Sequence, residues 1–371
     1  MKLGIYIHIP FCKRKCNYCD FLSLSDTSRA EEYIKKLCDE MYFYADYYSS
    51  YAVDTVFIGG GTPSLLRTGA LSEVLEVLNK RFHLADGAEI TVEANPDTLS
   101  EEKVAEYSDV ATRVSLGVQS LSDKVLKIAG RLHDEARARE ALKLLSHSSL
   151  DVSADLMLGL PLDDIDGVTY STKGVLDYGI GHLSAYGLKV EENTPFYTDY
   201  FRNNTTFPDD DTVADMYDRV IDIAKSYGLV RYEVSNLAKK GKECRHNVGY
   251  WRRKQYLGLG IGAHSLIQSV RYENTSDIEK YLSCNDFFSV QEVESRLSFE
   301  DELFEEIMLG LRLSDGVRVK EIEKRYGIDF YERFSKPLTK LKGALECKSD
   351  KICVKEDYFY ALNSIIVEFL N

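Results

Sequence analysis

Short apolar runs alternate with helix-period segments through the first two thirds of the chain, and this rhythm constrains the fold more than any other feature. The strand-like runs are "IYIHI" (5–9), "TVFIGG" (55–60), "EITVEAN" (89–95), "RVSLGVQS" (113–120), "VSADLMLGL" (152–160), "HLSAYGLKV" (182–190) and "RYEVSN" (231–236). Helical stretches separate them. In 211–227, for example, Val213, Met216, Tyr217, Val220, Ile221 and Ala224 share one apolar stripe, with Asp209–Asp211 at the positive end of the helix. Repeated strand–helix units build a parallel sheet with helices outside. The unusual residues fall at the C-terminal ends of successive runs, where barrel enzymes keep their chemistry. The expected fold is therefore α/β, a partial (β/α)6-type TIM barrel. An open doubly wound sheet uses the same strand ends and stays as the alternative.

The rhythm stops near residue 296. "FEDELFEEIMLGLRL" reads as a helix, shorter helical pieces follow around 318–325 and 329–343, and "ECKSDKICVKEDYFYAL" reads as a hairpin before a last helix. This pattern predicts a small C-terminal α+β domain, winged-helix-like in outline. The expected division is 1–235 for the barrel core, 236–295 for a connecting region and 296–371 for the terminal domain.

Composition limits the function. The chain has 371 residues and a formal net charge of −14, which argues against nucleic acid and anionic membranes as partners. No run approaches the ~18 apolar residues that span a bilayer, and the N-terminal apolar run is too short for a signal peptide. The expected location is cytoplasmic. Eight cysteines in such a chain do not form a disulfide framework, because reducing compartments keep thiols free.

Three of those cysteines, Cys12, Cys16 and Cys19, form C-x₃-C-x₂-C directly after a strand. A zinc site needs a fourth ligand, and the nearest remote pair, Cys244 and His246, is more than two hundred residues away. A disulfide leaves one thiol over. An iron–sulfur cluster fits best, because three thiolates hold three irons and leave the fourth open. Lys13, Arg14 and Lys15 inside the loop suit its negative charge.

Taken with "GGGTPS", "EANPDTL", "RVSLGVQS", "DLMLGLP" and "YEVSNLA", the segment "YIHIPFCKRKCNYCDF" resembles the radical S-adenosylmethionine (SAM) superfamily, and within it the oxygen-independent coproporphyrinogen III oxidase family. The motifs run in family order over residues 5–265. The resemblance implies a radical SAM core with a [4Fe–4S] cluster on Cys12, Cys16 and Cys19 and SAM at the open iron. It places Gly60, Gly61 and Thr62 of the glycine turn, Glu93, Gln119, Arg131 and Asp155 around SAM, with Tyr6 and Tyr18 near SAM or the cluster.

Two departures separate this chain from the family's oxidases. They carry a further cysteine two residues after the third, where this chain has Phe21, and a longer segment before the loop. Both departures match the paralogous branch of heme chaperones, HemW. "ECRHNVGYWRRK" (243–254) also resembles that branch's H-N-x-x-Y-W motif. It implies heme contact through His246 as an iron ligand, with Tyr250 and Trp251 beside it and Arg245, Arg252, Arg253 and Lys254 toward the propionates. Cys244 and His264 are weaker candidate ligands. The implied partners are heme and a heme-accepting protein, for instance of the respiratory chain, with room for peripheral contact with membrane proteins and for a homodimer. Whether such a chain is an enzyme stays open: the alternative is oxidative decarboxylation of coproporphyrinogen III in porphyrin biosynthesis, and a third reading is SAM-dependent modification of heme.

Overall fold

The computed structural model describes residues 1–202 and 204–370. Six parallel strands form its centre: β1 (Lys2–Ile9), β2 (Ala52–Gly60), β3 (His83–Ala94), β4 (Arg113–Gln119), β5 (Asp151–Leu158) and β6 (His182–Gly187). They lie side by side in chain order. Helices α1 (Ala30–Ala45), α2 (Ala70–Arg81), α3 (Glu101–Val110), α4 (Asp123–Ile128), α5 (Glu135–Ser146), α6 (Ile165–Leu176), α7 (Pro195–Phe201) and α8 (Asp210–Ser226) follow them. Several start on side-chain caps that satisfy free backbone N–H groups: Ser100 for α3, Asp134 for α5, Asp164 for α6 and Asp209 for α8.

The period of two along each strand sorts its residues. One set, including Ile5, Ile7, Val56, Ile58, Val92, Val114, Leu116, Ala154 and Leu183, is fully buried in the main apolar core. The alternate set is polar or small and faces the barrel interior: Glu93 and Asn95, then Arg113, Ser115, Gly117 and Gln119, then Asp155, then His182 and Ser184. TIM barrels usually fill this space with branched apolar side chains. Here it is a cavity of about 560 Å³ lined by the inward-facing groups just named together with Phe57, Met157 and Leu188.

The sheet does not close. The expected seventh strand, 231–236, is instead the pair β7 (Val230–Arg231) and β8 (Asn236–Ala238), and β8 runs antiparallel to β6. A turn causes this: the Tyr232 N–H reaches the Asn236 carbonyl oxygen at 3.1 Å. After the short helix α9 (Arg245–Trp251), β9 (Tyr256–Leu259) joins the other edge parallel to β1. The antiparallel strands β10 (His264–Ile267), β11 (Val270–Asn274) and β12 (Gln291–Arg296) extend that edge, with α10 (Ile278–Ser283) inserted before β12.

The C-terminal region has its own apolar core, including Leu303, Ile307, Ile322, Phe330, Ile352 and Ile365. Helix α11 (Phe299–Gly310) opens on a capping box between Ser298 and Asp301. Short helices and a three-stranded sheet follow, with β13 (Val317–Arg318) and β14 (Leu345–Lys348) on either side of β15 (Lys351–Val354). No helix among the described residues is long and apolar enough to cross a membrane.

Candidate functional site

The cysteine loop leaves β1 at the C-terminal end of the barrel and is pinned from outside. Asn17 donates from Nδ2 to the Ile128 carbonyl oxygen (2.8 Å) and from its backbone N–H to that of Ala129 (3.0 Å). Arg14 donates to the Gly130 carbonyl oxygen at 2.6 Å and to that of Arg131 at 3.1 Å. Gly130 has φ +79°, and a Cβ there would lie 3.1 Å from Asn17 Oδ1, so this turn needs glycine. Of the three basic residues expected to offset cluster charge, Arg14 is spent on this anchoring and Lys13 on Asp97 (3.4 Å). Lys15 lines the cavity.

Cys12, Cys16 and Cys19 all open onto the cavity. Burial raises the Cys12 thiol and pushes Cys19 up to about 11. Among the described residues no three His, Cys, Asp or Glu side chains converge closely enough for a single ion. A cluster suits this spread, since it takes each thiolate on a separate iron.

Beside Cys12, the glycine turn is fixed by packing as much as by any ligand. Gly60 has φ +104°, and a Cβ on it would meet the His8 ring at 2.3 Å. A Cβ on Gly61 would lie 2.7 Å from the Phe11 carbonyl oxygen, and one on Gly59 would lie 2.7 Å from the Glu93 carboxylate. The Gly60 N–H donates to Glu93 Oε2 at 3.1 Å. Thr62 is buried, with Oγ1 3.5 Å from Cys12 Sγ and accepting from Asn95 Nδ2 at 3.0 Å.

Two acids face the interior. Burial, with the charge of Asp155 adding, pushes Glu93 up to about 7. Asp155 is also raised by burial, opposed by its hydroxyl donors; Ser115 reaches its two oxygens at 3.0 and 2.9 Å. Arg131 Nη2 donates to Asn95 Oδ1 (2.5 Å) and the Gly117 carbonyl oxygen (2.7 Å), while Nη1 lies 3.5 Å from both Cys16 Sγ and the Tyr18 hydroxyl.

Three features mark this wall as built for a polar ligand. Gln119 holds φ +67°, unusual for a residue with a side chain, where the β4–β5 register shifts. Its Oε1 is buried without a partner, and so is Arg131 Nε. Buried polar atoms are normally satisfied. The donor and acceptor set therefore fits a ligand carrying both an ammonium and a carboxylate, beside three thiols. Cys12, Cys16 and Cys19 could hold a cluster, and Glu93, Gln119, Arg131, Asp155 and the 60–62 backbone could hold SAM.

Sequence reasoning missed Asn17, Asn95 and Ser115. Asn95 and Ser115 were visible as polar members of the inward-facing alternation. Asn17 acts through a fold-dependent contact and left no local signal.

Not every expected residue joins this site. Tyr6 is not among the residues that line the cavity, and its hydroxyl lies 3.0 Å from His8 Nδ1. His246 is 3% exposed. Its Nδ1 is paired with Thr55 Oγ1 (3.0 Å), its Nε2 with the Tyr250 hydroxyl (2.9 Å), and its ring leans on Phe57. Burial pushes it down to about 3. In this conformation the imidazole presents no free nitrogen to a metal. Tyr250 packs edge-on against Tyr256, and Tyr250 and Trp251 lie outside the cavity lining.

The basic residues of this segment are also committed. Arg245 donates to the Gly87 carbonyl oxygen, Arg252 to Asp315 and the Gly316 carbonyl oxygen, Arg253 to Glu302 and Glu305, and Lys254 to Asp54. They tie α9 to the barrel and to the C-terminal region, which explains their charge without propionates. Cys244 is buried, pushed up to about 12, with Sγ 3.6 Å from Glu89 Oε1. His264 is exposed and faces Glu294 at 3.2 Å.

Residues 6–169 match the Radical SAM superfamily, and residues 297–355 match the HemN C-terminal domain. The fold is similar to that of coproporphyrinogen III oxidase (HemN) from Escherichia coli, a radical SAM enzyme. The TM-score is 0.85 over 99% of this chain and 89% of that one, at 19% identity, which speaks to fold alone. Relatives named heme chaperone HemW match over most of their length. The Lactococcus lactis protein is 32% identical over 98% of this chain and 96% of its own, and the Bacillus subtilis protein 34% over 87% and 86%. The Escherichia coli protein is 38% identical over 71% of this chain and 70% of its own. With the three-thiol loop and the HemN-type terminal domain, these matches show that the chain belongs to the heme chaperone HemW family of radical SAM proteins.

Proposed function

We propose that this protein binds heme and delivers it to an acceptor protein, on a barrel that carries a [4Fe–4S] cluster and SAM. The relatives' name supports the heme role. The observation that carries it within this chain is Phe21. At the position where the family's oxidases place a further cysteine, an aromatic ring 64% exposed stands on the cavity rim.

Within the barrel, the chain's own groups position and neutralise. Glu93, once ionised, faces an ammonium, Arg131 a carboxylate and Asp155 a hydroxyl-bearing sugar, while the buried walls exclude water. The cluster and SAM, when bound, supply electron transfer and a reactive sulfonium.

His246 remains our proposed axial ligand, with a stated condition. The heme-bound state has α9 released from Glu89 and the His246–Tyr250 hydrogen bond broken. The test is anaerobic hemin titration of the cluster-reconstituted chain, followed by mixing with a heme-free acceptor. We expect one equivalent bound, loss of that heme to the acceptor, and a changed Soret band in His246→Ala. An unaltered band and affinity in that variant reject His246. Robust conversion of coproporphyrinogen III with SAM rejects the chaperone reading.

A further inference from the structure

The cavity has a second end that the cysteines and the SAM-facing groups do not use. It lies at the N-terminal ends of the strands, six positions down β4 from Gln119, about 20 Å in extended backbone. Its walls are Arg113, Ser115, His182, Ser184, Cys244 and Asn247. Helix α9 forms the floor there: Asn247 belongs to it, and Cys244 directly precedes it.

Arg113 is 4% exposed. Its Nη1 donates to the Lys242 carbonyl oxygen at 3.1 Å, and no carboxylate among the described residues pairs with it. Each nearby acid is already engaged. Asp151, its register partner on β5, is held by Lys242. Glu89 accepts the backbone N–H groups of Arg245 and His246 and faces the Arg245 guanidinium. Asp155 accepts from Ser115 and Ser153. Thr91, the register partner of Arg113 on β3, has a buried Oγ1 without a partner.

A buried guanidinium with no carboxylate paired to its fork is costly, and that planar fork matches a carboxylate. We infer that Arg113 anchors the carboxylate of an organic acid at the barrel floor, beside Asn247. The rest of the cavity fixes the orientation of that acid. Glu93 and Asp155 lie higher on the cavity wall and offer an acid no cation, so its carboxylate is directed down to Arg113. His182 has both nitrogens committed, Nδ1 to Ser153 at 2.7 Å and Nε2 to Tyr232 at 2.8 Å, and acts as a fixed wall.

Two sources carry this chemistry: a free small organic acid, or a propionate of a tetrapyrrole. The second rests on the heme reading above. Calorimetric titration of the cluster-reconstituted full chain separates them, with succinate in one arm and hemin against hemin dimethyl ester in the other. We expect wild type to bind succinate, or to prefer hemin over its ester, and Arg113→Gln to weaken that binding at least tenfold. Arg113→Lys recovers part of it. Asn247→Leu, which fills the floor and leaves Arg113 intact, weakens it as well and serves if Arg113→Gln fails to fold.

Absence of both kinds of binding in wild type overturns the inference. So does unchanged binding in a folded Arg113→Gln or Asn247→Leu chain. Arg113-dependent succinate binding in a chain that refuses hemin supports the floor site and rejects the heme reading. Hemin uptake indifferent to Arg113, Asn247 and esterification, with no succinate bound, rejects the floor site and leaves the heme reading standing.

Discussion

Arg131 and Asn95 are joined at 2.5 Å, Nη2 to Oδ1, while the other arm of the same guanidinium faces Cys16 Sγ at 3.5 Å. One side chain thus ties the end of β3 to the cysteine loop. Replacing it by Met removes both links and leaves Asn95 Oδ1 and the Gly117 carbonyl oxygen without this donor. The reconstituted Arg131→Met chain should retain less than half the wild-type iron and sulfide, by colorimetric assay. Its SAM affinity should fall at least tenfold, about 1.4 kcal/mol. Wild-type values for both assign Arg131 to packing alone.

Adjacent glycines should respond differently to alanine. At Gly60 the added methyl meets the His8 ring and the backbone sits at φ +104°, so Gly60→Ala should cost roughly 2 kcal/mol or more in denaturant unfolding. At Gly59 the obstacle is the movable Glu93 carboxylate. Gly59→Ala should stay folded and lose SAM affinity instead. Equal stability losses in both variants contradict this division.

Glu93 links stability and binding to pH in opposite directions. Its carboxyl is pushed up to about 7 by burial first and Asp155 second, against about 4.3 in an unfolded chain. A raised pKa means the folded state holds the proton more tightly. That stability is complete below about pH 4 and is lost as pH rises through about 7. Glu40 and Glu233, raised by burial to about 7, add to the same trend. The denaturation midpoint of the ligand-free chain should therefore fall between about pH 5 and about pH 7.5, and fall less in Glu93→Gln. Affinity for SAM, whose ammonium needs an ionised carboxylate, should rise over the same window in wild type and stay flat in Glu93→Gln.

Arg253 offers a test of the C-terminal junction. Its side chain is 6% exposed and pairs with Glu305 (2.9 Å) and Glu302 (3.3 Å), themselves 15% and 20% exposed. Arg253→Ala strands the Glu302 carboxylate, while Glu305 keeps Arg271, and should cost roughly 2 kcal/mol. Limited proteolysis should then release the C-terminal region, with hemin affinity of the intact chain unchanged. Loss of hemin affinity without loss of stability restores Arg253 to the propionates.

The parallel core and its ligand wall were legible because one signal, the period of two, encodes both. In "RVSLGVQS" Val114, Leu116 and Val118 are apolar and join the core, and the residues between them, Arg113, Ser115, Gly117 and Gln119, face inward. The edge strands β9 to β12 were not legible. They are four to six residues long, and a short strand at the edge of a sheet takes its identity from its neighbour more than from its own pattern. The segment 243–254 was legible only in its residue types, for a different reason. Its histidine and arginines are the types a heme site uses, but their partners, Thr55, Glu302, Glu305 and Asp315, come from distant parts of the chain.

Helix α9 meets the barrel interior through Asn247, and the two arginines that follow it grip the C-terminal region. Seven residues thereby link the cavity floor to the C-terminal region, alongside the Glu233–Leu313 bridge and the Arg271–Glu305 and Lys225–Glu356 pairs. A load on the terminal domain would therefore reach the cavity floor through α9, and one applied in the cavity would return along the same residues.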